Sequence, residues 1–463
     1  MAGSGGGGGS EPVDPLPGDK WIPTFVVKYC GASNLLSPQE TAKFDLLITG
    51  PGNSQAWAET GNSWETLKSY NPDMKIALYV LGPSEFNTSA WGVLGADQWT
   101  WVTGNHGIGS ADPWTGHGYT NTDRYLYNDA YANERIMDLG NPSWRQFYYT
   151  EVYDALWGGA DPHTGADGLF SDVTGYDVPY TGQWRVDGGP NAGAVDHPAQ
   201  YYDGASYDHA KHRADMNAYF DEALPYYASQ NAGFAFTHNF TSLANTDQWT
   251  ELDQRAVHPY AAMHEAGVLQ PYGAFTFGVF NFQSRIQTIN GLQNVKAINM
   301  CHGKSGDLTG DGLARLDSLG TTGPGDGATT MTGWEALWFA LTSHMAAINA
   351  ERNNAYLGFT VWGYCEYHWL DEFDPAYLHL GEAVGDAFTA DEATFREFDD
   401  GWVAINGTTG DLSGLSVPSG QARVIDHDNF DNPSSASLVT TFDLPLHRGV
   451  VLLKDGHELG DGS

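Results

Sequence analysis

Short apolar runs recur along the chain, separated by polar stretches of helical texture, and the first three are closed by Gly or Pro. "WIPTFVVKYCG" (21–31), "FDLLITG" (44–50) and "KIALYVLGP" (75–83) come first. "DGLFSDV" (167–173), "GFAFTHNF" (233–240), "VHPYAAMHEAG" (257–267), "VKAINMCHG" (295–303) and "AYLGFTVWGY" (355–364) follow. Continuous rather than alternating apolarity is the pattern of parallel strands buried on both faces. Between the early runs, "SPQE" (37–40) and "NSWE" (62–65) carry the Ser/Asn and Glu spacing that opens helices. Eight such strand–helix units are the number of a (β/α)8 TIM barrel. A doubly wound open sheet is the rival, but it needs a Gly-rich phosphate turn after an early strand, and none is present.

Two stretches break the rhythm. Residues 84–134 form an insertion rich in Trp, Gly, Asn, Asp and Tyr, of a length that is usually functional. From 393 to 463 the pattern switches to alternation with turn signals, as in "FREFDDGWVAIN" and "GVVLLKDG". That predicts a small C-terminal antiparallel β domain, sandwich-like, behind a barrel spanning 21–392. No Pro/Gly/Ser linker separates the two, so the β domain is expected to pack on the barrel. Residues 1–20 are a flexible Gly/Ser/Pro-rich segment without the basic region and apolar core of an intact signal peptide.

Charge and cysteine usage narrow the picture. Lys and Arg number 21 against 57 Asp and Glu, a formal net charge of −36 spread along the chain. Nucleic acid is excluded as a partner, because phosphate binding needs basic patches. Self-repulsion of this size is tolerable where salt screens it, which points to a salt-loving source; an ordinary acidic secreted enzyme is the alternative. Three widely spaced cysteines give neither a disulfide framework nor a metal spacing. No apolar run reaches the length of a membrane span. Asn87, Asn239 and Asn406 lie in glycosylation sequons, which matter only for an exported chain.

Chemistry concentrates at the carboxyl ends of the runs, where barrel enzymes keep their active sites. Asp172 ends the fourth strand and Glu265 the sixth, facing one side of the mouth. A pair of carboxyl groups across a cleft is what glycoside cleavage requires. The small apolar neighbours of Glu265 suit a carboxyl held protonated as an acid, and Asp172 suits a nucleophile. For each, a helix cap is the bland reading. Tyr29, His238, Asn239, His258, His302 and Trp362 also fall at strand ends. With 16 Trp and 24 Tyr in the chain, they are candidate sugar-binding groups. Asp307 and Asp311 are placed as in the start of a calcium loop. Position three is Thr309 and position twelve Ser318, so an acidic surface turn is the other reading. No organic cofactor is expected.

"MDLGNPSWRQFYYTEVYDAL", "GADGLFSDV", "AMHEAG", "YLHLGEAVGDA" and the Arg-x-Phe-x-x-Gly segment at 396–401 together resemble the hypothetical glycosyl hydrolase family 15, relatives of α-galactosidase and polygalactosaminidase barrels. The resemblance spans about residues 130 to 410. It implies a barrel glycosidase in which Asp172 is the nucleophile and Glu265 the proton donor. The insertion at 84–134 and the Asp/Gly loop at 303–330 depart from that pattern. The sequence thus predicts a glycoside hydrolase acting on a poly- or oligosaccharide, extracellular or surface- or virion-associated. The alternative is a non-catalytic carbohydrate-binding protein on the same barrel. Sugar, linkage and oligomeric state are not encoded in any motif.

Overall fold

The computed structural model describes residues 22–28, 37–50, 64–82, 85–86, 96–132, 134–158, 165–265, 270–271, 277–278, 281–302, 331–349, 354–362 and 366–460. Tyr29, Asp307 and Asp311 lie outside these residues.

Eight parallel strands form the central sheet in sequence order. They are β1 (Phe25–Lys28), β2 (Leu46–Thr49), β3 (Lys75–Leu81), β4 (Gly168–Asp172), β5 (Thr237–Asn239), β6 (Ala261–His264), β7 (Lys296–His302) and β8 (Ala355–Trp362). A parallel bridge between Thr24 and Leu357 joins β1 to β8, and the Leu357 N–H donates to the Pro23 carbonyl at 2.8 Å. The sheet is therefore a closed barrel, without an exposed edge among these strands. Each of the eight apolar runs supplies one strand, shortened at one or both ends.

Helices follow the first seven strands: α1 (Pro38–Thr41), α2 (Trp64–Tyr70), α3 (Pro142–Tyr153), α4 (His209–Gln230), α5 (Thr246–Asp253), α6 (Phe282–Gly291) and α7 (Gly333–Ala347). Their starts are set by local chemistry. Ser37 and Glu40 form a reciprocal capping box, Thr332 and Glu335 another, and Asn141 accepts from Ser143 and Trp144 N–H. β8 is followed instead by a hairpin strand, Glu366–Tyr367, and a single 3-10 turn, Asp371–Phe373. Among the described residues no helix is long and apolar enough to cross a membrane.

The insertion after β3 is structured. With the β4–α4 connection it builds a four-stranded antiparallel cap sheet, ordered 85–86, 134–135, 126–128, 184–186. Leu126, Ile136, Val178, Trp184, Val186 and Tyr201 form its own small core.

The C-terminal sheets begin at Phe388 rather than 393. Strands Phe388–Ala390 and Ala393–Glu397 form a hairpin whose two turn residues, Asp391 and Glu392, both take positive φ (48° and 68°). That is the two-residue turn matched to strand twist, here made without the Gly or Asn that normally signals it. The β domain packs on α7. Phe398, Val403, Ile405, Val451 and Leu453 belong to the same buried cluster as the barrel core. Gly449 lies so close over α7 that a Cβ there would meet Thr342 Oγ1 at 1.9 Å. Arg396, 3% exposed, donates to the Met345, Ala346 and Ile348 carbonyls at the end of α7 and to Gly385 O at 3.0 Å. These are the carbonyls a helix C-terminus leaves without partners. Arg396→Met keeps the stem and removes the donors. It is expected to cost about 2–4 kcal/mol in urea unfolding, by stranding buried carbonyls; a loss under about 1 kcal/mol would show that the guanidinium is not what secures the domain.

Candidate active site

The register of β4, β5 and β6 decides which side chains enter the barrel. Phe170 pairs with Thr237 and Ser171 with His238, while Ala262 pairs with His238 and Met263 with Asn239. Successive strand residues point to opposite faces. Asp172, Asn239 and Glu265 share the inner face at the mouth.

Asp172 accepts three hydrogen bonds. Tyr79 Oη donates to Oδ2 at 2.7 Å; the Val173 N–H and Asn239 Nδ2 donate to Oδ1 at 2.8 and 3.0 Å. Val173, β-branched, takes φ 54° to turn its N–H back onto the carboxylate. This is a strained conformation of the kind that collects at functional sites. Gly82, beside it, is required by space: a Cβ there would lie 2.0 Å from the Asp172 carbonyl oxygen.

Glu265 follows β6 directly. Burial, reinforced by the nearby Asp172 charge and opposed by the Asn239 hydrogen bond, pushes its carboxyl up from 4.5 to about 7. Asn239 Nδ2 donates to Glu265 Oε2 at 2.9 Å and to Asp172 Oδ1 at 3.0 Å, so these two oxygens stand at most about 5.9 Å apart, the two bonds laid end to end. One carboxyl is arranged as an acceptor and its neighbour is poised to hold a proton near neutrality. That combination serves nucleophilic attack and general acid catalysis on one bond.

The other expected sugar contacts divide. Asn239 belongs to the site, as the group that ties the two acids together. Its sequon is accordingly no glycan acceptor in the folded chain, and neither is that of Asn406, fully buried. His238 does not reach the mouth. Period two turns it outward, where it is fully buried against Phe220, Phe236 and Phe240, with Nδ1 at 3.0 Å from Thr174 Oγ1. Burial drives its ring down to about 3, so it stays neutral. His258 is exposed and precedes β6, which starts only at Ala261, beyond Pro259. It therefore lies at the amino end of the strand, opposite the mouth. His302 and Trp362 do end β7 and β8.

Three residues of the site carried no motif. Tyr79 sits within the apolar run of β3, and only its hydroxyl, near the strand's carboxyl end, marks it. Tyr367 follows β8; its hydroxyl is buried without a partner, and the charge of Glu265 acts on it. Glu134, from the cap sheet, is 1% exposed and lies within reach of the Asp172 charge.

A separate cavity of about 610 Å³ lies between the barrel and the β domain, lined in part by Trp334, Trp369, Glu372, His427 and Asp431. At its edge, Asp426, His427 and Asp428 bring ligand atoms within 4.8 Å of one another, a grouping able to hold a cation. Neither acid of the pair lines it.

No family model matches the sequence, and no characterised protein matches it. Solved structures with a similar course of chain include an α-amylase from Geobacillus thermoleovorans bound to acarbose (9% identity, TM-score 0.41, 95% of this chain and 100% of that one). An Anoxybacillus α-amylase (9%, 0.43, 94% and 99%) and a cyclic α-maltosyl-(1→6)-maltose hydrolase from Arthrobacter globiformis complexed with maltose (10%, 0.38, 96% and 94%) are also similar. At this distance the likeness is too remote to carry an activity across.

Proposed function

We propose that the protein is a glycoside hydrolase that cleaves a poly- or oligosaccharide with retention of anomeric configuration. The observation that carries this reading is the Asn239 bridge. It brings one Asp172 oxygen and one Glu265 oxygen within about 5.9 Å of each other, a spacing compatible with the roughly 5–5.5 Å between the carboxyl groups of retaining enzymes. In the first step an Asp172 oxygen bonds to the anomeric carbon, the glycosidic C–O bond breaks, and the Glu265 proton passes to the departing oxygen. In the second, ionised Glu265 takes a proton from water, the water oxygen bonds to the anomeric carbon, and the ester to Asp172 breaks. Asn239 and the Val173 N–H orient the nucleophile, and Tyr79 holds its second oxygen. Turnover of aryl and oligosaccharide substrates, followed by NMR of the first-formed anomer, tests the reading: retention is expected, and inversion would overturn it.

Membership of the hypothetical glycosyl hydrolase family 15 is proposed on the motifs quoted above. The acidic surface supports a salt-rich, extracellular or surface-associated setting, and the Asp307–Asp311 spacing supports a structural calcium ion. With a net charge of −36, the fold is expected to gain from screening. The unfolding midpoint should climb by roughly 3–5 °C, a few kcal/mol for a chain this size, between about 0.1 M and molar salt; a flat profile contradicts the salt-adapted setting.

A further inference from the structure

Glu134, in the cap sheet, is 1% exposed, and half of its carboxyl has nothing to bond. Asn128 Nδ2 donates to its Oε2 at 2.9 Å, while Oε1 is buried without a partner. A buried polar atom left open in this way calls for a ligand or a water. Strand alternation aims the two members of 134–135 apart. Arg135 turns to Asp187, with its Nη2 at 2.9 Å from that carboxylate and its guanidinium over the rings of Trp99 and Tyr127. Glu134 lies on the opposite face, where the Asp172 charge still reaches it.

Two tyrosines mark the same space. Tyr131, 55% exposed, and Tyr180 stand with ring centroids 6.0 Å apart. The charges of Asp172, Glu265 and Glu134 act on both hydroxyls. The cap therefore brings an exposed aromatic face and a third carboxyl over the acid pair. Among the described residues, no Lys or Arg is among the groups whose charge acts on Glu134 or Glu265.

We infer that Glu134 is a further substrate-binding residue of this site, whose Oε1 end hydrogen-bonds a hydroxyl of the sugar seated between Tyr131 and the acid pair, and that the site accepts uncharged sugars rather than uronates. This rests on the reading of Asp172 and Glu265 as the acid pair. Burial, with the Asp172 charge adding to it against the Asn128 hydrogen bond, pushes the Glu134 carboxyl up to about 8, so at neutral pH it carries the proton it donates. The Asp172 charge, with no Lys or Arg acting on Glu134 or Glu265 among the described residues, repels a carboxylate on the substrate.

The test uses the full chain with Glu134→Gln and Glu134→Leu, read on a neutral aryl glycoside that the wild type turns over and on the corresponding aryl uronide. Gln presents its carbonyl to Asn128 and its NH2 to the sugar. It is expected to hold kcat/KM within about threefold, whereas Leu should raise KM and cut kcat/KM about 10- to 100-fold, the worth of one hydrogen bond to a substrate hydroxyl. Infrared difference spectra at pH 7 between the wild type and Glu134→Gln should show one protonated-carboxyl component, separate from that of Glu265, that only the wild type carries, a readout independent of activity. Equal kinetics in both variants with only a lowered unfolding midpoint would make Glu134 structural. Damage by Gln as severe as by Leu would mean that it acts ionised, and preference for the uronide would overturn the sugar class. If the wild type cleaves no glycoside, the hydrolase proposal fails on its own. Glycan-binding calorimetry with the same variants then decides this one, with retained affinity in Gln and loss in Leu expected, and no difference between them refuting it.

Discussion

Asp172→Asn is expected to lower turnover by about 10⁴-fold or more, as removal of a nucleophile does, with unfolding shifted by no more than about 1 kcal/mol. The hydrogen bonds explain why the fold should survive. An amide oxygen in place of Oδ1 still accepts from the Val173 N–H and from Asn239 Nδ2. The amide nitrogen replaces Oδ2, and the Tyr79 hydroxyl, a donor in the wild type, can rotate to accept from it. The variant also removes the charge that helps hold Glu265 protonated, so the Glu265 carboxyl should titrate lower. Steady-state kinetics and urea unfolding on the same preparation check both halves. A large stability loss would show that Asp172 serves the fold first.

Glu265→Gln should depend on the leaving group. For natural oligosaccharides the loss is expected to be about 10²- to 10⁴-fold, the range of general acid catalysis; for a dinitrophenyl glycoside, which departs without a proton, bond cleavage should be almost spared. In the proposed mechanism Glu265 is the acid, with its carboxyl near 7, so kcat/KM on poor leaving groups should fall as pH rises through about 7, and the variant should lose that limb. Stability has a matching sign. The unfolded chain releases the Glu265 and Glu134 protons near 4.5, whereas the folded protein keeps them to about 7 and about 8. The contribution of these groups is complete below 4.5 and is lost as pH rises through the folded values. Chemical denaturation from pH 4 to 9 should show this decline, reduced in Glu265→Gln and in Glu134→Gln.

The barrel was legible because its strands are buried on both faces, and eight short, largely apolar runs separated by helical stretches have few other readings. Asp172, Asn239 and Glu265 were legible because polar residues that end such runs stand at the barrel mouth. His238 shows where this reasoning lacks resolution. Adjacent residues on a short strand face opposite ways, and only the register with β4 and β6 tells Asn239 from its neighbour. At His258 the start of the strand was mistaken for its useful end, since Pro259 delays entry into the ladder. The cap sheet could not be read from the sequence. Its strands are two or three residues long, and residues 126–128 pair with 184–186 across β4 itself. Glu134 was hidden with it, because a carboxyl in a polar insertion looks solvated until pairing buries it.

The central claim is that Asp172 forms a covalent bond with the sugar. Once a glycan panel has identified a glycoside that is turned over, its activated 2-deoxy-2-fluoro analogue should inactivate the enzyme and leave one glycosyl group per chain. Peptide mass spectrometry should place that group on Asp172, in the peptide that carries "DGLFSDV". Label on any other residue, or full turnover with no ester formed, would contradict the account.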